Sequence, residues 1–213
     1  LLLNSSYSQD QLYTYARMQD SLYSWQDMFG YASHPSDDYD GFGIIYNLDT
    51  IGYSSQDNLP IYAVKLSAHA DIKEAQPRVL ILGQCHAEEI YGVEISMEII
   101  NQFLHPEQFQ GNRTFLQKGL YFTEIWIVPT YNPEGMRVVH GYVEDGDEIQ
   151  DVTYRKNKRD TDNDGIFDFV NGIGQDTDGV DINRNYDFNW IFGDTLLQSC
   201  DPTVSDCSYN DDY

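Results

Sequence analysis

Apolar residues recur at helical spacing over residues 8–29, where Leu12, Tyr15, Met18, Leu22, Trp25 and Met28 fall on one stripe. Ser8 is placed to cap that helix. Residues 31–42 are rich in Gly, Ser, Pro and Asp and read as a loop. Two strands are predicted at 43–54 and 60–68, joined by the polar turn SSQDN. The continuous apolar run RVLILGQ at 78–84 predicts a central strand buried on both faces. Helical spacing returns over 88–104 at Ile90, Val93, Met97 and Ile100, and 121–129 reads as a second buried strand ended by Pro129. Strands alternating with helices predict an α/β domain: a mixed, mostly parallel central sheet with helices on both faces. From about 140 to 178 the pattern gives way to an acidic, Gly-rich loop, and a loop that long inside a domain is usually functional or metal-bound.

Charge narrows the partners. The 213 residues carry 35 acidic and 12 basic side chains, a net charge of −23. Such a surface repels nucleic acid and anionic lipid. It suits a secreted, periplasmic or extracellular protein, or one that holds divalent cations, although solubility alone explains it equally well. No run approaches the length of a membrane span. Leu1–Leu3 are apolar but lie in no basic or long apolar context, so no signal peptide is expected. Cys200 and Cys207 flank a short polar loop and suggest a disulfide, which would imply an oxidising compartment. Cys85, at a strand end, reads as a buried free thiol.

Four short segments carry candidate chemistry. In GQCHAEE, His86 leaves the carboxyl end of a predicted strand, where α/β sheets form sites, and Glu89 follows at the next helix start. Residues three apart share a helical face, so an imidazole and a carboxylate could reach one zinc ion. Taken alone, the pair is more simply a strand-end His and a solvated Glu. PTYNPEG (129–135) reads as a tight structural turn. In YRKN (154–157), Arg155 is either a charge partner in an acidic segment or a donor aimed at a developing oxyanion. GVDINRN (179–185) sets Asp181, Asn183 and Arg184 close together; an Arg fork beside an amide matches a terminal carboxylate.

In this order the four segments resemble the zinc carboxypeptidase family, with the likeness covering roughly residues 8–190. The resemblance implies that His86 and Glu89 bind zinc, that Arg155 polarises the scissile carbonyl, and that Asn183 and Arg184 grip the substrate's C-terminal carboxylate. It also makes Asp181 the partner that orients His86. The family's two-His, one-Glu zinc set is itself a standard example of catalytic zinc, not a product of the spacing here. Residues 1–213 are thus expected to be the N-terminal portion of one catalytic domain. The third zinc ligand and the general-base Glu would follow later, on the remainder of the domain or a second chain, so these residues alone should be inactive or very weak. Substrates would be peptide or protein C-termini. One departure is Glu88, where some members carry Arg. His105 and His140 are read as surface histidines.

DTDNDGIFD (160–168) places Asp160, Asp162 and Asp164 at alternate positions, followed by Gly165 and Asp168, like the front of a calcium loop. Position 12 is Asn171, which disfavours a full EF-hand. Asp176 and Asp178 could complete such a site; a merely solvated loop is the alternative. A different function class stays open as well: a calcium-stabilised, non-catalytic binding or structural protein on a peptidase fold.

Overall fold

The computed structural model describes residues 12–161, 163–167 and 178–186. Elements follow in the order α1 (Tyr15–Phe29), β1 (Tyr46–Tyr53), β2 (Pro60–Leu66), β3 (Arg78–Gln84), α2 (Tyr91–Leu104), α3 (Arg113–Phe122), β4 (Glu124–Thr130), α4 (Pro133–His140), β5 (Tyr142–Glu144) and β6 (Asp147–Ile149). Four strands form one sheet in the order β1-β2-β4-β3. β2 pairs antiparallel with β4, Val64 opposite Ile127 and Leu66 opposite Ile125. β3 and β4 run in the same direction: the Glu124 N–H donates to Pro77 O at their start and the Tyr131 N–H to Gln84 O at their end. A helical crossover through α2 and α3 makes that parallel pairing possible. The sheet is therefore mixed, in an α/β arrangement with helices.

Contacts divide the described residues into two units. The first takes residues up to Asp49, Ala63–Ile81 and Val93–Pro129. Its core holds Met18 and Leu22 of α1, Tyr46, Val64 and Ile127 of the strands, and Met97, Ile100 and Leu120 of α2 and α3, all at most 1% exposed. Tyr46 Oη donates to Leu22 O and the Leu48 N–H to Gln26 Oε1, which ties α1 to β1. Glu124 is buried among Arg78, whose Nε donates to it at 2.6 Å, and Lys65, whose Nζ lies 3.4 Å away at ion-pair distance. The second unit takes Thr50–Tyr62, Leu82–Gly92 and residues from Thr130 on. Its core centres on Ala87, Val138, Val139 and Tyr154, with Ile90, Tyr142, Ile149 and Phe167 packed against it.

Several expectations need correction. α1 begins at Tyr15 with Thr14 as its cap, accepting from the Arg17 N–H, whereas Ser8 lies outside the described residues. Met28 is 52% exposed and Phe29 is buried, because the step from Trp25 to the core is four residues at this turn. β3 is not buried on both faces: Val79, Leu80 and Leu82 are 47%, 62% and 46% exposed. It lies at the edge of the described sheet, so an apolar run that reads as central lacks a neighbour on one side. The residues read only as a tight turn begin helix α4: Asn132 caps it and Pro133 occupies its first turn, where a missing N–H costs nothing. The acidic stretch after 140 contains a hairpin, β5 against β6, with Tyr142 opposite Ile149. Its Asp145–Gly146 turn has both residues at positive φ, 51° and 97°, the combination a two-residue hairpin demands.

Candidate metal centre

His86, Arg155 and Asp181 sit on three segments of the second unit that are laced by backbone hydrogen bonds. The Ala87 N–H donates to Arg155 O, Asn157 to Val180 O, and Gly179 to Arg159 O. Gly179 has φ +91°, and a Cβ there would crowd the Asn157 carbonyl, with Tyr154 Oη at 2.8 Å. Only glycine admits this approach.

Asp181 is the hub. It is 1% exposed and N-caps a 3-10 turn, Ile182–Arg184. Its Oδ1 lies 3.2 Å from His86 Nε2 and accepts from the Asn183 N–H at 3.0 Å, and its Oδ2 accepts from Arg155 Nε at 2.9 Å. Burial alone would raise the Asp181 pKa. The hydrogen bond and charge of Arg155, with His86 and Arg184 nearby, outweigh burial and hold it below the usual carboxylate range.

With Nε2 committed to Asp181, the other ring nitrogen of His86 faces Glu89, and Nδ1 lies 3.3 Å from Glu89 Oε1. That separation is a close contact without hydrogen-bond alignment: Nδ1 is buried with no hydrogen-bond partner among the described residues. An orphaned imidazole nitrogen beside a carboxylate is an arrangement that a cation would satisfy. Zinc, which takes imidazole nitrogen and carboxylate oxygen, fits this donor set. Among the described residues no group of three or more His, Cys, Asp or Glu side chains could hold a metal, so the pair stands as two donors.

Arg155 is clamped on two edges. Besides Asp181, it donates through Nη1 to Glu88 Oε1 at 3.1 Å, while Glu88 Oε2 is buried without a hydrogen-bond partner among the described residues. Burial by itself would lower the Arg155 pKa, but the two carboxylates raise it, so its charge is secure. Asn183 and Arg184 are exposed on the turn that Asp181 begins. Cys85 is free, as expected, but partly exposed.

The acidic segment is held differently. Asp160 accepts from the Asn163 and Gly165 N–H groups, Asp164 from Ile166, and buried Asp178 from the Thr161 N–H and hydroxyl. Among the described residues these carboxylates satisfy loop backbone and do not gather as a cluster. Asp162, Asp168, Asp176, Cys200 and Cys207 lie outside the described residues.

Sequence reasoning missed the supports beneath this site. Buried Glu134 accepts from the Gln56, Asp57 and Lys158 N–H groups. Lys158 is 1% exposed; its Nζ donates to Asp57 at 2.9 Å and Glu144 at 3.0 Å and lies over the Tyr142 and Phe167 rings. A lysine in an acidic stretch was the one available signal.

A strand-end imidazole, a carboxylate three residues on and a buried carboxylate behind the imidazole make a metallopeptidase-like arrangement; Glu89 lies just before α2, which begins at Tyr91, and not at a helix start as its spacing predicts. Residues 41–211 match the zinc carboxypeptidase family model, and the chain belongs to that family. It is 26% identical over 148 residues to a zinc carboxypeptidase of Saccharothrix mutabilis subsp. capreolus, which spans 68% of this chain and 28% of that protein. Thrombin activatable fibrinolysis inhibitor has a similar fold, with a TM-score of 0.58, 17% identity, and coverage of 86% of this chain and 36% of its own. Carboxypeptidase A from Helicoverpa armigera gives a TM-score of 0.57, 19% identity and the same coverages, 86% and 36%. The chain thus spans little more than a quarter of the curated relative and about a third of these structures.

Proposed function

We propose that this chain supplies half of the catalytic apparatus of a zinc metallocarboxypeptidase that removes C-terminal residues from peptides. The observation that carries this is His86: its Nε2 is held by Asp181, and its buried Nδ1, without a hydrogen-bond partner among the described residues, is turned to Glu89.

In this reading His86 and Glu89 would hold zinc, and a bound zinc would supply a water of lowered pKa, about 7, as nucleophile at neutral pH. Asp181 keeps the imidazole in the tautomer that leaves Nδ1 bare. Arg155, whose charge is held by burial-resistant partners, donates to the developing oxyanion. Asn183 and Arg184 bind the terminal carboxylate, so a peptide with an amidated C-terminus leaves them unsatisfied and is rejected. The third ligand and the general base belong, in this proposal, to the rest of a longer protein or to a second chain. A secreted or periplasmic location agrees with the net charge of −23.

The test uses the complete zinc-loaded protein. Free-acid peptides should lose C-terminal residues and their amidated forms should not; His86→Ala should abolish both zinc binding and release. Equal processing of amidated peptides would refute the exopeptidase reading. Calcium at residues 160–178 rests on the spacing of Asp160, Asp162, Asp164, Asp168, Asp176 and Asp178. Calorimetry with calcium chloride tests it, and absence of heat and of thermal stabilisation rejects it. A non-catalytic protein stabilised by calcium would give that heat but no peptide hydrolysis.

A further inference from the structure

We propose that Asn132 is a positioning residue that fixes the His86 segment against the Arg155 segment. This rests on the reading of His86 and Arg155 just given. The residue is 1% exposed, and both polar atoms of its side chain are used. Oδ1 accepts from the Gly135 N–H at 3.0 Å and caps α4. Nδ2 donates at 3.0 Å to Cys85 O and at 3.0 Å to Lys156 O, the carbonyls next to His86 and Arg155 in the chain. The amide orientation follows from chemistry: only NH2 can serve two carbonyls while oxygen serves an N–H.

Gly135 makes the bridge fit. A Cβ there would collide with the Lys156 carbonyl and would lie 2.6 Å from Asn132 Nδ2 and 2.8 Å from Ala87 Cβ. Between the two bridged carbonyls runs one direct backbone bond, from the Ala87 N–H to Arg155 O at 3.1 Å. Without Nδ2, two part-buried carbonyls each lose a donor, and register then rests on that one backbone bond together with the side-chain ties of Arg155 to Glu88 and of Asp181 to His86 and Arg155. The Asn-Pro-Glu-Gly turn therefore has two separable roles, starting a helix and setting the spacing between metal donor and cation.

Asn132→Ser separates them, because serine caps a helix but has no second donor. In the full chain, amide exchange at Ala87 should quicken about 10-fold or more, with α4 amides changing less. Zinc alone should bind about 10-fold more weakly, as when an outer support of a ligand is lost. Thr14→Ala, which uncaps α1 in the other unit, should change neither. In the unaltered protein, scalar couplings across hydrogen bonds should link Asn132 Nδ2 to the carbonyl carbons of Cys85 and Lys156. Absence of those couplings, or wild-type exchange at Ala87 in Asn132→Ser, overturns the proposal. Should the serine variant not fold, the couplings decide. Failure of the unaltered chain to bind zinc would instead count against the zinc reading, since couplings and exchange judge the bridge without metal.

Discussion

His86 and Asp181 are 95 residues apart in sequence and meet at 3.2 Å, Nε2 to Oδ1, which leaves the opposite ring nitrogen facing Glu89. Removing the carboxylate frees the ring to turn. Asp181→Ala is expected to weaken zinc binding about 10- to 100-fold, the usual cost of losing the group behind a histidine ligand. Titration against a competing chelator measures it, and unchanged affinity would show that Asp181 does not orient the ring.

Two cations in the second unit, Lys158 and Arg155, should differ in worth. Lys158 is 1% exposed, but Asp57 keeps Arg137 at 2.7 Å and Glu144 is 39% exposed, so Lys158→Met should cost about 1.5–3 kcal/mol, the worth of a hydrogen bond to a charged group. The Arg155–Glu88 pair is 36% and 29% exposed, and Glu88→Gln should change stability by about 1 kcal/mol or less. Urea unfolding of both variants decides it; equal effects would contradict the assignment by burial.

Glu124 links stability to acid. Burial would raise its pKa, but the Arg78 hydrogen bond, Trp126 and the Lys65 charge bring it from 4.5 down to about 2. A depressed carboxyl stabilises the fold above its unfolded pKa, and that contribution is lost as pH falls through the folded value. The difference amounts to about 3 kcal/mol, lost between pH about 4.5 and about 2. Comparing unfolding of the wild type and Glu124→Gln across that window should show the two curves converging at its acid end. Parallel curves would mean Glu124 is not the linked group.

Gly179→Ala should destabilise the second unit through both its φ of +91° and its crowding of the Asn157 carbonyl. An L-residue at such a φ costs on the order of 1–3 kcal/mol. Thermal melting reads the loss, and a neutral effect would mean that residues 157–159 and 179–181 separate without cost.

What could be read from sequence was whatever is local. β2, β3 and α2 announce themselves through apolar period, and His86 with Glu89 through a three-residue spacing. The Asp181–His86 contact was reachable only by family resemblance, because nothing in either segment encodes a meeting across 95 positions. Lys158 with Asp57, 101 residues apart, was not legible at all. Asn132 reads as part of a tight turn because the residues that make one also begin a helix; its cap on α4 and its bridge to Cys85 and Lys156 are tertiary facts that no local pattern encodes. β3 misled for the opposite reason. Its composition describes a strand with neighbours on both sides, whereas the described sheet pairs it on one.

Such a margin has a cost that does not involve the metal. Among the described residues no strand lies on the outer side of β3, and the backbone groups there, flanked by Val79, Leu80 and Leu82, suit an extended segment that continues the ladder. A strand that continues this sheet, from the same polypeptide or from another, would pair those groups and close the margin.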